Sequence, residues 1–316
     1  MGRRSKTRGT IVNGILLLDK PTGRTSNHAL QAVKRLLDAR KAGHTGSLDP
    51  LATGLLPLCF GQATKVSSYL LGADKRYLVT IKLGVTTTTG DADGEVLDVK
   101  PLGFDETQLH DAIEQYIGPQ EQMPPMYSAL KVNGTPLYKL ARQGITIERK
   151  RRSVIAHDIQ LLSLEGEELL LDVHCSSGYY IRSLTEDIGA ALNCGGHVQA
   201  LRRTHAGDLS LSNAISLEQL EAMESPEQRQ QLLWPSDAAV KALPTVHLSE
   251  DAMFYLLRGQ AVRAPQLPSQ GEVRIYGPEE VFLGLGEVKD LSYVAPKKLM
   301  VDMPDEQVPL ASTIDQ

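Results

Sequence analysis

The sequence predicts an α+β protein: a main domain with a largely antiparallel sheet, followed by a small, mostly β unit. Three observations carry this. Segments of period-two alternation, such as Tyr77, Val79, Ile81 and Leu83 with Thr80 and Lys82 between them, interleave with segments of helical period. Ser153–Leu164 and Leu169–Cys175 are joined by Glu165-Gly166-Glu167-Glu168, as a hairpin requires. Beyond Pro244 the chain turns to short strands around a single short helix, enough for a second compact unit.

In chain order, residues 1–10 read as a flexible basic arm. Ile11–Leu18 is an apolar strand that ends in the turn Asp19-Lys20-Pro21-Thr22-Gly23. Ser26-Asn27 opens a helix whose Ala29, Leu30, Val33, Leu36 and Leu37 share one face. Gly43 to Gly54 reads as a loop, and Arg76–Leu83 as a strand with its Tyr77 face buried. Asp91-Ala92-Asp93-Gly94 is a turn into Glu95–Val99, and Leu109, Ala112, Ile113, Tyr116 and Ile117 make an amphipathic helix. Residues 124–152 form a long basic excursion broken by Gly134 and Gly144.

After the hairpin, Tyr179-Tyr180-Ile181-Arg182 reads as a short strand. It runs into a helix opened by Ser183-Leu184-Thr185-Glu186, which has capping-box spacing. Val198–Arg203 is a strand and Ser216–Met223 a capped helix. In the last unit Glu250–Leu257 is a helix stopped by Gly259, with strands near Ala261–Arg263, Glu272–Tyr276, Val281–Val288 and Lys298–Val301. Residues 304–316 read as an acidic tail.

Composition removes several classes of function. Cys59, Cys175 and Cys194 are far apart and never in a C-x-x-C pair, which argues against a disulfide framework or a zinc knuckle and for a reducing, cytoplasmic setting. No apolar run reaches the ~18 residues of a membrane span. Walker-type, dinucleotide-binding, zinc-protease and lipase-type motifs are missing. The net charge of −5 is unevenly distributed: residues 1–210 carry 25 Lys and Arg against 22 Asp and Glu, while residues 211–316 carry 8 against 16. A polyanion would therefore be held by the first two thirds, where Arg149-Lys150-Arg151-Arg152 form one cluster.

The densest polar and glycine-rich stretch is Gly43-His44-Thr45-Gly46-Ser47-Leu48-Asp49-Pro50-Leu51-Ala52-Thr53-Gly54. Asp49 lies among Leu48, Pro50 and Leu51, which sets a carboxylate beside nonpolar surface. Asp49-Pro50 also reads as a helix N-cap with proline at the first helical position.

This stretch, continued by Leu55-Leu56, resembles the signature segment of the TruB-type pseudouridine synthases. Leu17-Leu18-Asp19-Lys20-Pro21 with Ser26-Asn27 is similar to the family's lysine-proline motif, and Asp74-Lys75-Arg76-Tyr77 to its tyrosine strand. Pro125-Met126-Tyr127-Ser128-Ala129-Leu130-Lys131 resembles its RNA-clasping insertion. Cys175-Ser176-Ser177-Gly178-Tyr179-Tyr180-Ile181-Arg182-Ser183-Leu184 resembles its arginine motif, and His197-Val198 through Leu201-Arg202-Arg203 its late strand.

The resemblance implies that uridine 55 in the TΨC loop of tRNA is isomerised to pseudouridine, on a flipped-out base and without cofactor or metal. By motif position Asp49 is the nucleophile, Arg182 its cationic partner, and Tyr77 a base or a stacking surface. His44, Tyr180 and Leu201 contact the substrate, while Lys20 and Pro21 support the catalytic loop. Lys131, Lys139, Arg142, Arg149, Lys150, Arg151 and Arg152 are the candidate phosphate contacts. The same resemblance implies a catalytic domain over 11–243, with an RNA-clasping insertion at about 124–152, and a PUA-like RNA-binding domain over 244–303. It further implies a cytoplasmic monomer that takes the T arm of tRNA with no membrane and no required protein partner. A competing reading is a tRNA-folding helper whose role needs no catalysis; an intact Asp49, Tyr77 and Arg182 favour the enzyme.

Overall fold

The computed structural model describes residues 9–300 except Asn133 and Leu291. The expected tail at 304–316 and most of the basic arm lie outside the described residues. Thr10 belongs to the body and not to an arm, because its backbone N–H donates to the Asp38 carbonyl at 2.7 Å.

Among the described residues the main domain is organised on a ten-stranded mixed sheet. Ile215–Ser216, Gly14–Lys20, Thr53–Phe60, Gly196–Ala206, Lys75–Leu83, Glu168–Cys175, Arg152–Glu165 and Gly118–Gln122 lie side by side in that order. Two neighbouring pairs are parallel: Gly14–Lys20 with Ile215–Ser216, and Gly196–Ala206 with Thr53–Phe60. The rest are antiparallel, in accord with the hairpin-rich sequence. Alternation in Lys75–Leu83 buries Val79, Ile81 and Leu83, whereas Thr80 and Lys82 stay partly exposed.

The first strand starts later than expected, at Gly14 rather than Ile11. Gly14 has φ +138°, and a Cβ there would lie 2.8 Å from the Trp234 carbonyl oxygen, so only glycine lets the strand dock beside Trp234. The Ser26–Leu36 helix forms as its period requires, capped by the Thr25 side chain, and covers one end of the sheet with Leu217–Ala222. A second core is closed by Glu106–Glu114 and Ile181–Ala191. The Ile181–Ala191 helix corrects the sequence reading: residues 181 and 182 are helical, and the N-cap is Tyr180 with no side-chain cap. Ser183 caps nothing because its hydroxyl donates to the Met123 carbonyl at 3.1 Å.

Residues 124–152 hold a small hairpin, Lys131–Val132 with Thr135–Pro136, then the Leu137–Ala141 helix. Downstream, a five-stranded sheet runs in the order Thr245–His247, Glu272–Tyr276, Phe282–Val288, Tyr293–Leu299, Val262–Arg263 around its own core of Val246, Leu256, Ile275 and Val294. Its Leu285 and Met300 also pack with Ile15, Leu17 and Leu55 of the main domain. The Tyr293–Leu299 strand was expected only from Lys298. Pro296 masks it in sequence and is tolerated because it sits beyond the short stretch, Val262–Arg263, paired on the strand's far side.

Candidate active site

Asp49 is not a helix N-cap. No helix follows it; the Ala52 N–H donates to the Asp49 carbonyl at 3.1 Å, closing a tight turn with Pro50 at its second position. The turn is held from below by Lys20, whose fully buried Nζ donates to the carbonyls of Pro21 at 2.8 Å, Pro50 at 3.3 Å and Ala52 at 2.7 Å. From the side, Ser26 Oγ accepts from the Leu48 N–H at 2.7 Å and donates to the Leu48 carbonyl at 3.0 Å. Five bonds from two side chains thus fix a loop that has no regular structure of its own.

Burial lowers the Lys20 pKa from 10.5 to about 8, with Asp49 opposing the shift. The unfolded chain therefore binds more protons than the folded one between these values, and this lysine's contribution to stability rises with pH across that window. Lys20→Met removes the ammonium donor from the buried Ala52 carbonyl and the partly buried Pro21 carbonyl, while the Pro50 carbonyl keeps the Gly23 N–H at 2.8 Å, and should cost about 2–4 kcal/mol in urea unfolding at neutral pH. The gap between native and variant protein should widen as pH rises from 8 toward 10.5. A gap that stays flat or narrows would show that Lys20 is not the buried cation argued for.

Arg182, in the first turn of its helix and 8% exposed, reaches Asp49 with an Nη2–Oδ2 distance of 2.9 Å. It also donates to the carbonyls of Tyr127 at 2.7 Å and Thr89 at 3.1 Å, and the Asp91 carboxylate is 3.8 Å away. The guanidinium is thus locked between the 124–152 insertion and the turn at Asp91. The cleft walls push the Asp49 carboxyl above its ordinary range; Arg182 pulls it back, Asp91 and Asp93 add to the rise, and Lys20 opposes it. The carboxylate nevertheless keeps 46% of its side chain accessible, toward the cleft.

Tyr77 packs against both main-domain cores and is bonded to Arg203. Burial raises its pKa, so the phenol holds its proton against the opposing pull of Arg203. Tyr180 is held through its backbone by Gln122, whose side chain accepts from the Tyr180 N–H at 2.9 Å and donates to its carbonyl at 3.2 Å. The His44 Nδ1 is buried and has no hydrogen-bond partner among the described residues. Burial first, and Arg203 second, lower the His44 pKa, which favours the neutral ring.

His44, Asp49, Tyr77, Tyr180, Arg182 and Leu201 all line one cavity of about 420 Å³. Its size suits a nucleoside rather than a large ligand. The basic candidates do not line it. Lys131, Lys139, Arg142, Lys150 and Arg152 are exposed, whereas Arg149 and Arg151 donate to the carbonyls of Pro124 at 2.9 Å and Glu121 at 3.0 Å.

Sequence reasoning passed over Arg203 as a site residue. It is 1% exposed, pairs in register with Tyr77, and donates to the Leu55 carbonyl at 2.7 Å and the Gly46 carbonyl at 3.3 Å, so it supports both the tyrosine and the Asp49 loop. Its neighbour Gly54, φ +97°, allows the approach, since a Cβ would stand 2.3 Å from the Arg203 carbonyl oxygen. The sequence gives little signal for it, because Arg203 follows Arg202 in a strand that also carries Gln199, Thr204 and His205. Lys75 was missed as well: it lines the cavity wall and donates to the carbonyls of Leu70, Leu71 and Ala73.

Comparison with known proteins identifies the class of this cleft as that of the pseudouridylate synthases. Residues 34–181 match the model described as TruB family pseudouridylate synthase (N terminal domain), residues 182–241 the tRNA pseudouridylate synthase B C-terminal domain, and residues 244–300 the pseudouridine synthase II TruB C-terminal model. A tRNA pseudouridine synthase B of Aeromonas salmonicida is 51% identical over 310 residues, covering 95% of this chain and 97% of that protein. Another, of Ectopseudomonas mendocina, is 52% identical over 292 residues, 92% of this chain and 95% of that protein. The chain belongs to the TruB family. A crystal structure of a Cbf5-Nop10-Gar1 complex contains a chain 27% identical to it, with a TM-score of 0.70 and coverage of 92% of this chain and 86% of that one.

Proposed function

We propose that this protein isomerises uridine 55 in the TΨC loop of tRNA to pseudouridine, with Asp49 as nucleophile on a flipped-out nucleoside. The observation that carries the reading is the Asp49–Arg182 pair, 2.9 Å apart at the edge of a nucleoside-sized cavity whose aromatic wall is Tyr77 and Tyr180. The N1–C1′ bond of uridine breaks, the uracil turns in the cleft, C5 joins C1′, and the C5 proton is lost while N1 gains one. Atoms and electrons balance without a cofactor. Asp49 carries the nucleoside through the exchange, and Arg182 keeps the carboxylate ionised.

The raised pKa of Tyr77 supports a stacking and hydrogen-bonding role ahead of a phenolate base. Leu201 and Tyr180 confine the base, and the His44 ring, on the same cavity wall, stacks on the RNA or fills the gap that the flipped base leaves. Lys131, Lys139, Arg142, Lys150 and Arg152 remain exposed for phosphate, whereas the backbone bonds of Arg149 and Arg151 suit them to shaping the insertion. The unit from 244 onward, with its own core, acts as the PUA-like RNA-binding domain behind the 11–243 catalytic domain. The protein works as a cytoplasmic monomer without a protein partner. Among the described residues no helix is long and apolar enough to cross a membrane.

Position-resolved mapping of pseudouridine in an unmodified tRNA transcript tests this. Product is expected at the TΨC-loop uridine alone and lost when that base is replaced by cytidine. A transcript that is bound but left unmodified would instead select the folding-helper reading.

A further inference from the structure

The outer face of the main sheet gathers two histidines and an aspartate away from the cleft. His174, on Glu168–Cys175, pairs with Arg76 on one side and Asp158 on the other. The register on the Arg152–Glu165 strand shifts between Ala156 and Asp158, so His157 is the extra residue of a β-bulge. Ala156 and Ile159 are buried, while His157 and Asp158 between them face outward together. Regular alternation would have set these two side chains on opposite faces; the bulge re-aims one of them. Asp74 enters from the turn before Lys75–Leu83, anchored where its carbonyl accepts from the Gly207 N–H at 2.8 Å.

His157 Nε2 lies 3.1 Å from Asp74 Oδ2, and the His157 and His174 ring centroids are 4.8 Å apart. One ligating atom from each of the three residues falls within 4.8 Å of the others.

We propose that Asp74, His157 and His174 form a binding site for a divalent transition-metal ion of the zinc class. Two imidazole nitrogens and a carboxylate oxygen suit Zn²⁺, Ni²⁺ or Cu²⁺, whereas Ca²⁺ and Mg²⁺ prefer all-oxygen shells. With metal–ligand bonds of ~2.0–2.1 Å, tetrahedral ligand atoms stand roughly 3.3 Å apart. The His157–Asp74 pair already has that separation, and rotation of His174 completes the set. The neighbouring cation, Arg76, is engaged by Asp172 at 2.7 Å and does not face the site uncompensated. Three protein ligands leave room for water.

A bound ion would staple the start of Lys75–Leu83 to the hairpin strands Arg152–Glu165 and Glu168–Cys175. None of the three ligands lines the catalytic cavity, so the role is one of stability and not of chemistry.

Metal-free full-length protein titrated with Zn²⁺ against a chromophoric chelator should bind one ion per chain through this site. His157→Ala and His174→Ala should each weaken that binding by at least about tenfold, and Asp74→Asn should weaken it too. His110→Ala, an exposed histidine beside Glu106, should not. A large excess of Mg²⁺ should not compete, and Co²⁺ should give a visible absorption band that the His157→Ala/His174→Ala variant lacks. Zn²⁺ should raise the Tm of the native protein and not of that variant, while pseudouridine formation stays equal in both. Equal Zn²⁺ affinity in native and doubly substituted protein, or no binding by the native protein, would overturn the proposal.

Discussion

Asp49→Asn should abolish pseudouridine formation, with a loss of about 10⁴-fold or more in single-turnover rate, while tRNA binding stays within about twofold. The substitution is nearly isosteric and keeps an oxygen that can accept from Arg182, so the turn closed by the Ala52 N–H and held by Lys20 is undisturbed. What disappears is the negative charge and the nucleophilic electron pair. Arg182 still donates to the carbonyls of Tyr127 and Thr89 and keeps Asp91 nearby, so no buried cation is stranded. Rapid-quench turnover and filter binding on the same transcript separate the two quantities. Substantial residual turnover would remove Asp49 from the chemistry; lost binding would make it a recognition residue.

Arg182→Met should lower turnover at neutral pH by about 10²–10³-fold and move the acid limb of the pH–rate profile to higher pH. The sign follows from the carboxyl's surroundings. Burial, Asp91 and Asp93 already raise its pKa, and Arg182 is the leading group that lowers it. Without the guanidinium the carboxyl is protonated over a wider range, and the protonated form cannot attack. Activity should therefore recover in part as pH rises. Arg182→Lys keeps the charge but not the planar fork that spans Asp49, Tyr127 and Thr89, so it should shift the limb less while still losing rate. A reduced rate with an unmoved limb would mean that Arg182 acts on the RNA and not on Asp49.

Much of the site was legible because its chemistry is local. His44 and Asp49 lie within one short segment, and the Tyr77 face was readable from the alternation through Leu83. The misreadings have local causes as well. Asp-Pro suits a helix start and a tight turn equally, and only the Lys20 bonds to Pro50 and Ala52 select the turn. Ser183 through Glu186 has capping spacing, but the Met123 carbonyl claims the serine hydroxyl. Pro296 hid a strand whose far edge needs no donor at that position.

The α+β class and the segregation of basic charge into the first two thirds were already legible in the sequence, and the family resemblance singled out Asp49, Arg182 and Tyr77, which the structure places along one cavity. Tertiary structure alone decided the pairing. Arg203 stands opposite Tyr77, Arg182 reaches Asp49 across more than a hundred residues of chain, and a one-residue bulge turns His157 toward His174 and Asp74. The physical reason is that alternation reports which face a side chain takes and nothing about register: sliding a strand by two residues preserves every face and changes every partner. Register is set by the sum of hydrogen bonds and packing over all the neighbouring strands, and that sum exists only in the assembled sheet.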